Sequence, residues 1–148
     1  MKKLLIISLF GFITSCANTV ENSTSPYQQY KQFLTSLKVK NYEDALHMLS
    51  PYNQTRFHRE KGDESFNEFF PFFSSVDSVV LKEIRYYEKV KGEKSCLTVS
   101  GYNKEGDPTT LNFELLNVDG YWKLHYVHMA YHETKNEFPD KATCPVIP

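Results

Sequence analysis

The apolar residues of this chain change their spacing once, and that change limits the fold more than any other feature. Between Tyr27 and Lys38, Tyr30, Phe33, Leu34 and Leu37 stand at i, i+3, i+4 and i+7, the stripe of an amphipathic helix. Pro26 suits its first turn. Asn41 can cap a second short helix, with Asp44 in its first turn and Ala45, Leu46 and Leu49 facing inward, and Pro51 stops it. Residues 53–61 supply a further helical turn or two around Phe57, and Ser65–Phe70 a brief helix ended by Pro71. From Val76 the period is 2. Val76–Lys89 reads as a first strand, rich in β-branched and aromatic residues, and Lys91-Gly92-Glu93 as a turn. In a second strand, Ser95–Tyr102, Leu97 and Val99 share one face while Cys96, Thr98 and Ser100 share the other. Gly106-Asp107-Pro108 turns again, and Leu111, Phe113 and Leu115 alternate in a third strand. Asp119-Gly120 is the strongest hairpin signal in the chain. The fourth strand, Tyr121–Met129, puts Trp122, Leu124, Tyr126 and His128 on one face and Lys123, His125 and Val127 on the other. Helices followed by a meander of about four antiparallel strands predict an α+β domain with the helices covering one face of a curved sheet.

Two stretches carry a family resemblance. "YKQFLTSLKVKNYEDALHMLSP" resembles the opening helical hairpin of NTF2-like domains, and "FELLNVDGYWKLHYV" is similar to their closing strands. The resemblance spans about residues 27–129 and implies a cone with a pocket between sheet and helices; a cystatin-like sheet with a single helix is the alternative. Relatives use the cone for isomerase or dehydratase chemistry, for ligand binding, or not at all, so the fold does not give the function.

The chain opens MKKLLIISLFGFITSC. Lys2 and Lys3, then an apolar run of about ten residues from Leu4 to Ile13, then Thr14 and Ser15, follow the plan of a secretory signal peptide over residues 1–15. The run is shorter than the roughly 20 residues that a spanning helix needs. Ile13-Thr14-Ser15-Cys16 resembles the lipobox of bacterial lipoproteins. That resemblance implies cleavage before Cys16, acyl chains on it, and durable membrane attachment, because two chains hold where one is marginal. Ala17 in place of Asp weakly favours the outer membrane, facing the periplasm. Residues 16–26 then read as a lipidated polar tether, and 27–148 as one domain with an irregular tail from His132.

Removing Lys2 and Lys3 leaves 15 basic side chains against 18 acidic ones. A near-neutral chain without a basic stripe argues against nucleic acid as a partner. Cys96 and Cys144 remain after Cys16 is assigned, and an exported chain favours their disulfide over two separate thiols. The bond would close a loop of about 49 residues, worth about 4 kcal/mol in the chain-entropy model. It would also strap the tail across the second strand, opposite Leu97 and Val99.

Catalysis in the cone needs an inward carboxylate or histidine as base and a Tyr or protonated Asp for the oxyanion. No acid stands on the apolar sheet face, so no catalytic residue is assigned. Tyr86, Trp122, Tyr126 and His128 are the candidate pocket residues, with Tyr126 as a core aromatic and His128 as a solvated strand end being the plainer reading. His125, His128 and His132 lack the parity and spacing of a metal site, and nothing points to a cofactor. Phe66, Phe69, Phe70, Phe72 and Phe73 crowd into eight residues. They form either a patch for an envelope protein partner or a plug closing the end of the cone. Together these features describe a membrane-anchored, non-catalytic binding or accessory module, with a small-molecule-binding protein or enzyme as the alternative.

Overall fold

A computed structural model describes residues 24–146. The apolar N-terminal run, Cys16 and most of the polar stretch after it lie outside the described residues. Five helices come first in that span: α1 Pro26–Lys38, α2 Tyr42–His47, α3 Pro51–Glu60, α4 Phe66–Phe69 and α5 Pro71–Val79. Four strands follow, β1 Lys82–Lys91, β2 Lys94–Tyr102, β3 Pro108–Val118 and β4 Tyr121–Tyr131, paired antiparallel in that order as an open sheet. This is the α+β arrangement that the change of period implies.

Local chemistry explains where the elements start and stop. The Ser25 hydroxyl accepts from the Gln28 backbone N–H at 3.2 Å, and the Gln28 side chain accepts from Ser25 N–H at 3.0 Å, a capping box ahead of Pro26. Asn41 caps α2 through the Asp44 N–H at 3.2 Å. Asp119 at φ 52° and Gly120 at φ 86° adopt the two left-handed conformations of a tight hairpin turn between β3 and β4.

Two sequence expectations are corrected. Val76–Val79 belongs to α5 and not to a strand, and β1 begins only at Lys82. Pro71 ends α4 but also opens α5, where its missing N–H costs nothing. The buried side chains Phe73, Val76 and Val80 are spaced by three and four, a helical stripe that the valine-rich composition conceals.

The second correction concerns β4. His125 is an extra residue in that strand: Glu114 pairs with Tyr126, and Leu115 pairs with Leu124. A bulge reverses the alternation beyond it. Trp122 and Leu124 therefore face the helices together with Val127, while Tyr126 and His128 turn to the opposite face. The junction of α2 and α3 fastens this site. Ser50 N–H donates to Leu124 O at 2.8 Å, Leu124 N–H to Met48 O at 2.9 Å, and Asn53 Nδ2 to His125 O at 2.8 Å. Ser50 Oγ lies 2.9 Å from His125 Nδ1.

The core fills the space between helices and sheet. Tyr30 and Phe33 of α1 and Leu97, Val99, Leu111 and Phe113 of the sheet are fully buried. The phenylalanine cluster closes one end. Phe66, Phe70 and Phe73 are buried, and Phe69 and Phe72 are half-buried. The Phe70 ring lies 5.8, 5.5, 4.8 and 6.0 Å from those of Phe57, Phe66, Phe69 and Phe73. Phe70→Ala is therefore expected to cost about 3–5 kcal/mol in a urea titration, with the slope unchanged. A loss below about 1 kcal/mol would remove this residue from the core.

Candidate functional site

The four candidate pocket residues do not meet. Trp122 is buried in the core. Tyr86, on the helix side of β1, stacks on Tyr27 with ring centroids 3.6 Å apart and planes 2° apart. Tyr126 and His128 lie across the sheet from both, opposite Glu114 and Asn112. The residue reversing β4 is His125, whose partners Ser50 and Asn53 come from a distant helix junction, so alternation alone misses it.

A polar cluster at the junction of α1 and β1 escapes sequence reasoning. The Tyr27 hydroxyl donates to Glu83, Lys31 Nζ lies 3.4 Å from the same carboxylate, and Tyr27 N–H donates to Glu88 at 3.0 Å. Tyr30, one turn further along, is fully buried, and its hydroxyl has no hydrogen-bond partner among the described residues. Burial, then the Glu83 hydrogen bond, holds the Tyr27 hydroxyl above the ordinary tyrosine range. Burial, then the charge of Glu83, does the same for Tyr30. Both stay neutral phenols at physiological pH. They can donate a hydrogen bond, but neither is poised to exchange protons near neutrality.

The other sheet face is covered by the C-terminal strap. His132 Nε2 lies 2.9 Å from Thr110 Oγ1, Phe138 is buried, Thr143 N–H donates to Thr98 Oγ1 at 2.8 Å, and Cys144 is bonded to Cys96 with Cα atoms 4.9 Å apart. The strap thus crosses β2 opposite Leu97 and Val99. Three recesses open between it and β1. The first is lined by Ile84, Arg85, Lys135, Asn136 and Phe138, the second by Tyr87, Glu88, Lys89, Asp140, Lys141 and Ala142. The third is lined by Lys89, Lys91, Lys94, Cys96, Glu114 and Cys144. In this last one Lys94 already pairs with Glu114 at 3.5 Å. No described trio of His, Cys, Asp or Glu is placed to hold a metal ion; His128 is exposed, and His125 and His132 serve Ser50 and Thr110. No described helix is long and apolar enough to cross a membrane. No protein-family model matches this sequence, and no curated protein matches it.

Breaking the strap by Cys144→Ser is expected to cost about 4 kcal/mol in stability. It should also make the segment after His132 the first site of limited proteolysis; an unchanged cleavage pattern would show that the bond holds nothing in place. The raised Tyr30 hydroxyl sets an alkaline limb. The unfolded chain releases this proton near pH 10, so the group's stabilisation is complete below that pH and declines as pH rises beyond it. Tyr30→Phe should flatten the decline in thermal unfolding and, by removing an unpartnered hydroxyl, add about 1 kcal/mol at pH 7. A destabilised Phe variant would mean the hydroxyl has a partner.

Proposed function

We propose that this chain is an exported lipoprotein that works by binding, with residues 1–15 as signal peptide, Cys16 as lipid attachment site and the NTF2-like domain as an accessory module of the cell envelope. The observation that carries export is the Cys96–Cys144 pair, which fits an oxidising compartment. The capped start of α1 at Ser25 and Pro26 leaves only the short polar stretch from Ala17 between lipid and domain. The Ala17 that follows ITSC, in place of Asp, supports attachment to the outer membrane, facing the periplasm. Binding is preferred to catalysis because buried side chains occupy the described helix–sheet interior, and the one carboxylate at its α1–β1 corner, Glu83, is engaged by Tyr27 and Lys31. With Phe66, Phe70 and Phe73 buried, only the half-buried Phe69 and Phe72 of that cluster are left to meet a protein partner.

A second reading, a small-molecule carrier or isomerase-like enzyme using the cone, rests on one observation, the unpartnered Tyr30 hydroxyl near Glu83. Native mass spectrometry of the full lipoprotein from its own host separates the readings. The expected species is the chain from Cys16 with its acyl groups, two daltons below the all-thiol mass, and Cys16→Ala is expected to leave the membrane fraction. An unmodified Cys16 overturns the anchor. A further few hundred daltons beyond the acyl chains favours the carrier.

A further inference from the structure

Arg85 is a half-buried cation that meets no carboxylate among the described residues. It stands on the strap side of β1, opposite Ser100, with its guanidinium carbon 5.6 Å from the Phe138 ring centroid and 6.0 Å from that of Tyr87. Nη2 donates to Phe138 O at 2.7 Å. Nε is buried and donates to nothing among the described residues. The other two arginines behave differently: Arg56 and Arg59 both pair with Glu60. No described carboxylate lies within 4.0 Å of Arg85. Of the acids near it in sequence or along the strap, Glu83 serves Tyr27 and Lys31 across the sheet, Glu137 accepts from the Glu133 N–H, and Asp140 lines the next recess with Lys89 and Lys141. A charge withdrawn from water is costly unless a counter-charge meets it. The recess beside Arg85 adds a second cation, Lys135, and the amide of Asn136.

We infer that this recess is an anion site for a phosphate group. With Nε buried and one Nη2 hydrogen given to the Phe138 carbonyl, Arg85 offers a phosphate the fork of Nη1 and the remaining Nη2 hydrogen, pre-oriented by the two aromatic rings. Lys135 supplies a second charge at the mouth, and Asn136 a neutral donor. Two sources share this chemistry, a soluble phosphate ester and a phospholipid headgroup. The headgroup is a candidate because a lipid anchor would hold the domain at a membrane, although the start of α1 packs on Tyr86, across the sheet from Arg85. That source rests on the lipoprotein reading; the phosphate site itself does not.

The test uses the mature chain carrying Cys16→Ala, titrated with inorganic phosphate and with glycerol phosphate while the arginine side-chain Nε–H signals are followed by NMR. Saturable movement of the Arg85 signal, with Arg56 and Arg59 unmoved, is the expected result. Arg85→Lys keeps the charge without the fork and should weaken binding about tenfold. Lys135→Gln should weaken it several-fold, and circular dichroism checks that both variants fold. Capture by phosphatidylglycerol vesicles but not phosphatidylcholine vesicles, reduced in Arg85→Lys, assigns a headgroup; phosphate binding without capture assigns a soluble ester. No saturable shift with either phosphate, or equal shifts of all three arginines with chloride as with phosphate, overturns the site. The anchor is read separately, by whether wild-type chain and Cys16→Ala fractionate differently, so either idea can fail alone.

Discussion

The sheet of this protein has to be covered twice. From Ser95 to Ser100 and from Thr109 to Glu114 both central strands are buried without a break. Burial on both faces normally belongs to parallel sheets sandwiched by helices. Here helices supply one cover, and on the other side a strap of irregular chain does the work. Irregular chain has no internal ladder to satisfy its backbone, so it must borrow partners from the sheet. Thr98 is the main lender: its hydroxyl serves Asn112 at 2.8 Å and the backbone N–H of Thr143, beside the covalent link from Cys96 to Cys144. The strand residues that accept the strap are polar because they must hold it.

The same division sets what each face can do. The helix face is largely apolar and filled, with polar contacts at the α1–β1 corner, where Tyr27 ties the first helix to Glu83 and Glu88, and at the α2–α3 junction, where Ser50 and Asn53 hold His125. The strap face is polar and incompletely closed, and its openings follow β1 where chain and sheet diverge. Candidate chemistry therefore shifts from the helix–sheet interior to the strap face.

Much of the helical half of this plan is legible in the residues. The stripe of Tyr30, Phe33, Leu34 and Leu37, the Asn41 cap and the Asp119-Gly120 turn are local signals, and local rules suffice for them. The alternation of β2 and β3 is equally plain, because both strands lack interruptions. Three features are not, two of them because their partners lie far along the chain. The bulge at His125 is held by Ser50 and Asn53, separated from it by 75 and 72 positions. Nothing in the local pattern of β4 marks it, and one uncounted residue sends Tyr126 and His128 to the wrong face. Helix α5 is disguised by valines that favour strands in general but pack here at helical spacing. Arg85 reads as an ordinary solvated charge on an edge strand until Phe138, 53 positions later, closes over it.

The two edges of the sheet are unequal. That of β4 is interrupted where Met48 and Ser50 bond to Leu124, a single bridge from Leu49 standing where a fifth strand would begin. The edge of β1 has no described strand beside it, only the irregularity at Ile84 and the lysines at 82, 89 and 91. Growth of a sheet into a fibril needs each molecule to offer two usable edges, one to receive and one to extend. With β4 blocked around Leu124, edge-to-edge association of this domain is expected to begin at β1.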